Sequence, residues 1–309
     1  MRVFSYGGGV QSTAALVLAA QGVIDYPTFL FCNVGRDSED PKTLDYFHQY
    51  ALPYARKHGI TLLELHKRDR AGQIVTLYGH LTKPDSRSIG IPVRMNNSGA
   101  PGKRSCTYDF KIAVVDRWCR KSSWIEHIKW MKSVFMKRYG FTEPITKEDF
   151  PTFIADLPHF FDLYQPIEVG LGISLDEFTR VKPNMDPETI YWKVNTHPLI
   201  FEVPKPLTRQ DCMNIIQEAG LPIPPKSACW FCPFHALSKW QQMRKSEPDL
   251  FWKAVALEAF LNERRRGLGM DEVWLTRLLR PLDEATTALD QAELLYLAEE
   301  EECEGYCFV

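Results

Sequence analysis

The first twenty residues constrain the fold more than any other part of the chain. RVFSY is a short apolar run, three glycines follow at once, and an aliphatic stretch, STAALVLAAQG, comes next. A strand that turns through glycine directly into a helix is the opening unit of a parallel α/β sheet. Residues 2–6 therefore read as a strand and 12–22 as a buried helix. The alternation continues with a strand over 26–35, an amphipathic helix over 40–59 closed by Gly59, and a strand over 60–66. Such a pattern predicts a parallel, Rossmann-like sheet covered on both faces.

Farther along the pattern loosens. Residues 82–105 are rich in Gly, Pro, Ser and Asn and read as a long loop, a feature that is usually functional. A helical stretch over 107–140 carries Trp118, Trp124 and Trp130. A strand returns at 166–174, and 207–220 is a helix with a threonine cap and a glycine stop. The Pro-rich turn 221–235 holds cysteines, and 238 to about 300 reads as helical.

Composition narrows the class. The chain has 309 residues and a net charge of -2, so total charge does not make it a polyanion binder. No apolar run approaches the roughly 20 residues that cross a bilayer. Glycines interrupt the N-terminus before any signal-peptide core forms, so a cytoplasmic protein without membrane partners is expected. In a reducing compartment its eight cysteines read as thiols, metal ligands or catalysts rather than disulfides.

The glycine loop fits neither familiar phosphate motif. It lacks the lysine of the P-loop, and Ser12 stands where the dinucleotide fingerprint has its third glycine. Bare backbone N–H groups at a helix start still suit a phosphate or pyrophosphate. The same residues also serve a tight turn that packs helix on strand. Arg104, Lys103 and Lys111 flank the glycine-rich loop, as oxyanion clamps or as a solvated face. Asp176, Glu177 and Arg180 follow a strand end, where α/β sheets bind ligands. Arg180 is expected on the ligand and Asp176 as a helix cap. Cys229 and Cys232 form a C-x2-C knuckle able to chelate one metal centre with further ligands from elsewhere.

Taken together, these motifs resemble the PP-loop superfamily, or adenine nucleotide alpha hydrolases. "SYGGGVQST" is similar to its S-G-G-x-D-S pyrophosphate loop, with Gln11 where many members have Asp. "FCNVGRDSEDPKTLDYF" resembles the strand end near the adenosine, placing Asn33 and Gly35 there. "RSCTYDFK" is similar to the R-x-C-T-x-x-x-K segment of reductase-like and DNA phosphorothioation members. "GISLDEFTR" matches G-I-R-x-x-E-S-x-x-R at Glu177 and Arg180. "HPLIFEVPKPLTRQDCMNIIQEAGLPIPP" resembles a reductase segment. The resemblance spans 1–235, apart from a helical insert at about 113–165. Residues 236–309 form a helical extension with a cysteine-containing tail.

The resemblance implies a site of Ser5, Gly7, Gly8, Gly9, Gln11, Ser12, Asn33, Gly35, Arg104, Lys111, Glu177 and Arg180 around ATP or phosphoadenosine phosphosulfate (PAPS), with magnesium as a companion ion. It also implies that Cys106 joins Cys229 and Cys232 on a [4Fe–4S] cluster, with Cys212, Cys119 or His235 as the fourth ligand or with an open iron. Zinc on Cys106, Cys229, Cys232 and His235 is the competing metal. "EECEGYC" is similar to the catalytic tail of the reductases, which makes Cys303 and Cys307 candidate nucleophiles, although the glutamates around them raise a thiol's pKa. Three functions follow: ATP α–β cleavage coupled to sulfur transfer, PAPS or adenylyl sulfate reduction, or a nucleotide-binding module with a zinc knuckle. A DNA, tRNA or sulfur-donor protein partner fits the first. The basic, tryptophan-bearing insert (Arg117, Arg120, Lys121, Lys129, Lys132, Lys137, Arg138) and "NERRRG" at 262–267 fit nucleic acid, or an ordinary amphipathic helix surface.

Overall fold

The computed structural model describes residues 1–84, 86–122, 166–182 and 193–287. Trp124, Trp130, the basic residues from Lys129 to Arg138, and Cys303 and Cys307 lie outside the described residues.

Five strands form one fully parallel sheet in the order β3-β2-β1-β5-β6. They are β1 (Arg2–Tyr6), β2 (Thr28–Cys32), β3 (Thr61–Leu65), β5 (Ile167–Leu171) and β6 (Lys193–Thr196). The central strand β1 pairs Phe4 with Phe29 on one side and with Gly170 on the other. Alternating side chains give the sheet two buried faces, as the parallel arrangement requires. Phe4, Tyr6, Phe29 and Phe31 pack with α1 (Val10–Ala20). Val3, Leu30, Cys32 and Val169 face Val115 and Cys119 on the opposite side.

The predicted helix over 40–59 forms in three joined pieces: α2 (Pro41–Tyr46), a π turn (Phe47–Ala51) and α3 (Leu52–Lys57). Asp40 caps its start by accepting from the Lys42 amide at 2.9 Å. A second π turn (Tyr108–Ile112) follows a short helix (Ser105–Thr107), and the chain stays helical to residue 122.

Two expectations change. The 82–105 stretch is not a plain loop: β4 (Arg94–Met95) within it pairs antiparallel with β7 (Val273–Trp274). The stretch from 238 to 300 is accordingly not all helix. Among the described residues it holds helices Leu237–Ser246, Pro248–Gly267 and Leu282–Ala285, with β7 between the last two. Turn-forming residues hid a strand because pairing to a distant partner, rather than local propensity, makes it. A second core joins both regions: Leu77, Ile91, Val93 and Phe110 pack with Trp230, Trp240, Phe251 and Leu257.

Glu258 lies inside this second core. Its two oxygens accept from the amides of Leu275 and Leu282, each at 2.7 Å. Burial raises its pKa from 4.5 to about 7. Between those values the unfolded chain releases this proton and the folded chain keeps it, so the stabilisation present below 4.5 is lost as pH rises through about 7. Urea unfolding should show this contribution falling by on the order of 3 kcal/mol from acid to mildly alkaline pH in the native chain relative to Glu258→Gln. Parallel pH profiles for the two proteins would contradict it.

Candidate functional site

The strand order reverses direction next to β1. The chain steps outward from β1 through β2 to β3 on one side and through β5 to β6 on the other. Open α/β sheets bind ligands in the crevice at such a switch point, at the strands' carboxyl ends. The glycine loop leaves β1 here, and the segment 172–180 leaves β5. Gln11 Nε2 joins them by donating to Ser174 Oγ at 3.4 Å.

The glycines in this loop differ in what they do. Gly8 has φ +77°, and a Cβ on it would fall 3.1 Å from Thr43 Cγ2, so the fold itself demands glycine there. A Cβ on Gly9 would meet nothing within 4 Å. Gly9 caps α1, whose first-turn amides have no intrahelical acceptor, so the open space lies at the positive end of a helix. Ser12 is turned inward: its Oγ donates to the Gly9 carbonyl at 3.1 Å and accepts from the Gly9 amide at 3.2 Å. Its hydroxyl shapes the loop instead of facing the crevice. Arg209, unforeseen in the sequence, lies beside Gln11, with Nη1 3.4 Å from Gln11 Oε1.

Other expected residues take structural roles. Asp176 does not cap the 3-10 helix in which it lies (Leu175–Arg180); that start belongs to Ser174. It accepts from the Arg209 amide at the start of the neighbouring helix Arg209–Glu218. Asn33 donates to Glu64 at 2.7 Å and accepts from the Gly35 amide at 2.8 Å, which fixes the turn after β2. Arg104 lies among the residues around the cysteine knuckle. Its guanidinium lies 5.1 Å from the Phe234 ring, beside the cysteine knuckle.

Lys111 and Arg180 meet at a cavity of about 230 Å³ on the sheet face opposite α1. Ser5 of β1 and Leu171 of β5 line it, with Lys182, Lys193, Asn195 and His197. Arg180 pairs with Glu177 at 2.6 Å, both side chains buried, and Lys193 pairs with Asp116 at 2.7 Å. Burial lowers the pKa of His197, which favours the neutral ring. The sequence signal for the β6 wall is slight: Lys193 and Asn195 alternate in an edge strand, KVNT.

Cys106, Cys229 and Cys232 line one smaller pocket, again with Lys111. The knuckle is carried there by backbone bonds: Asp40 N–H donates to the Ala228 carbonyl at 3.0 Å and Trp230 N–H to the Ser38 carbonyl at 3.2 Å. Burial, reinforced by Glu39, pushes the Cys229 thiol well above its ordinary pKa, and Lys111 acts in the other direction. Glu39 is fully buried 4.0 Å from Lys111 Nζ. His235 does not line this pocket. Its Nε2 lies 2.9 Å from the Cys229 carbonyl oxygen, its ring meets Trp240 edge-on, and burial lowers its pKa to about 4. Cys119 and Cys212 are packed in two hydrophobic cores and do not line the pocket.

The three thiols have the soft donor character that zinc or iron–sulfur groups require. As the side chains stand, no group of three or more His, Cys, Asp or Glu among the described residues is arranged around a metal ion. The pocket measures about 30 Å³. It has room for a water-sized group, and a four-iron cubane would need it to widen.

The basic segment 262–267 is largely committed to the fold. Arg264 donates to the carbonyls of Leu81 and Lys83 at 2.7 and 2.8 Å, and Arg265 to that of Asp271. No helix among the described residues is long and apolar enough to cross a membrane. No family model, no curated protein and no solved structure matches the chain.

Burial holds Cys32, Cys119 and Cys212 near pKa 12 and Cys229 well above its ordinary value. Brief alkylation of the folded protein at about pH 7.5, read by peptide mapping, should leave these four unmodified, because the thiolate is the reactive form. Denaturant should expose all four. Early labelling of Cys229, which is only partly shielded from solvent, would contradict its raised thiol pKa.

Proposed function

We propose that the chain is an adenine-nucleotide-binding enzyme of the PP-loop type that cleaves ATP between its α and β phosphates and couples this to sulfur transfer. The observation that carries the reading is the open space over Gly9, at the start of α1 and at the sheet's switch point. Protein packing accounts for glycine at Gly8, and the open space at Gly9, at a helix start, supports a phosphate there.

In this reading the β and γ phosphates lie on the first amides of α1, and an oxygen of the acceptor attacks the α-phosphorus. The bond from that phosphorus to the bridging oxygen breaks, and pyrophosphate leaves with the electron pair. Backbone amides and the helix dipole take up the charge that develops on it. Arg209 adds a cation at the loop, where Gln11 offers no carboxylate to hold a metal ion. A sulfur nucleophile then attacks the activated carbon, and AMP departs.

Cys106, Cys229 and Cys232 are the residues that would hold a metal, and such a group would supply a Lewis-acidic or sulfur-binding centre next to Lys111. The small pocket favours a second reading, a nucleotide-binding module whose knuckle holds one zinc ion. Reduction of PAPS or adenylyl sulfate by Cys303 or Cys307 is the third reaction to test.

Equilibrium dialysis with ATP separates folding from binding in a single variant. Gly9→Ala should cost less than about 1 kcal/mol in stability, since only a helix cap changes. Its ATP affinity should fall at least about tenfold, because the new methyl occupies the phosphate's place. Unchanged affinity would sink the reading. Pyrophosphate release with ATP favours the first reaction, and sulfite release from PAPS the reductase. Zinc-loaded protein that binds ATP but turns over neither nucleotide favours the module.

A further inference from the structure

We propose that the outer face of the helix Pro248–Gly267 is a self-association surface, on which a second copy of this chain docks antiparallel about a two-fold axis. The inner face of this helix is spent on the second core, where Phe251, Ala254, Leu257 and Leu261 are buried. The opposite face is exposed at Asp249, Trp252, Ala256, Ala259, Glu263 and Arg266. These positions alternate steps of three and four, the spacing of a seam that another helix covers. Trp252 is half exposed, and one exposed tryptophan is ordinary on its own. The charges around it are what select the occupant.

Asp249, Glu263 and Arg266 form no ion pair among the described residues. With the axis between Leu257 and Glu258, an antiparallel copy sets Asp249 against Arg266, Trp252 against Glu263 and Ala256 against Ala259. Symmetry repeats each pairing, and no like charges meet. A parallel copy would instead place Asp249, Glu263 and Arg266 each against itself. The alanines at the centre let the two axes approach to about 8 Å. Lys253 flanks the seam beside Trp252, its ammonium held 4.8 Å from the Tyr78 ring and 5.0 Å from that of Trp230. Arg244 braces the indole from the other side at 5.8 Å. A tryptophan held this way loses little freedom on docking.

The competing occupant is the chain's own segment 288–309. Arg244 donates to Thr286 Oγ1 at 2.9 Å, so this segment begins close to Trp252. It carries Asp290, Glu293, Glu299 to Glu302 and Glu304, with no lysine or arginine. It therefore has no cation to offer Asp249 or Glu263, whereas a second copy offers Arg266 and Lys253. A helix of 20 residues gives a contact about 30 Å long, which belongs with the small, weak interfaces. A dissociation constant on the order of 10 μM is expected.

The test is sedimentation velocity on the full chain from about 1 to 300 μM, at low and high salt. A monomer–dimer equilibrium that weakens with salt is expected. Arg266→Glu sets like charges at both ends of the seam and should weaken the dimer at least about tenfold. Adding Asp249→Arg restores opposite charges in reversed order, and the double variant should recover to within about threefold of the native affinity. Trp252→Ala should weaken the dimer as well. All three positions are exposed and line neither pocket, so the variants should melt as the native chain does. A monomer at every concentration overturns the proposal and is the outcome if residues 288–309 take this face. A dimer that ignores Arg266→Glu, or that the double variant does not rescue, has its interface elsewhere and overturns it too.

Discussion

The pairing of β1 on both edges is the constraint on which the rest of the structure depends. β1 is hydrogen-bonded to β2 on one side and to β5 on the other, both parallel. Because β2 and β5 flank it on opposite sides, the chain steps outward from β1 in both directions, and the loops that leave β1 and β5 meet at its carboxyl end. The crevice between them is therefore a product of topology and not of any particular side chain. The glycine loop, Gln11 and Ser174 are placed by that geometry, and the cysteine knuckle is then attached through the backbone of 38–40.

Much of this was legible in the sequence. The strands and helices of the first 66 residues announced themselves through periodicity, and so did the strand at 166–174 and the helix at 207–220. These segments carry their own signal because each buries a face that its pattern displays. The strand pair β4–β7 carried none. It is two residues long on each side, and its partners are far apart in sequence. The break in the C-terminal helices follows from that same pairing.

The site was legible in kind but less so in role. Gly8, Cys106, Cys229 and Cys232 could be singled out because glycine runs and cysteine spacing are rare. Ser12, Asn33 and Asp176 were equally conspicuous, yet their polar atoms bind the neighbouring backbone. Short polar side chains near turns often do so, and a sequence does not say which partner wins. Arg209, Lys182, Lys193 and Glu39 stayed hidden because nothing in their local context separates them from ordinary surface charge. Arg264 and Arg265 show the converse, a visibly basic cluster in which two guanidiniums hold carbonyl groups.

The π turn at Tyr108–Ile112 carries Phe110 into the second core and Lys111 between the two pockets. A π turn holds one residue more than the α-helical turn it replaces. The helix on either side keeps its orientation, so Val115 and Cys119 stay against the sheet while the extra residue is absorbed locally. The site's most shared side chain is thus carried by a segment whose own backbone is tied to the sheet, the Lys111 carbonyl accepting from Cys32 Sγ of β2 at 3.5 Å.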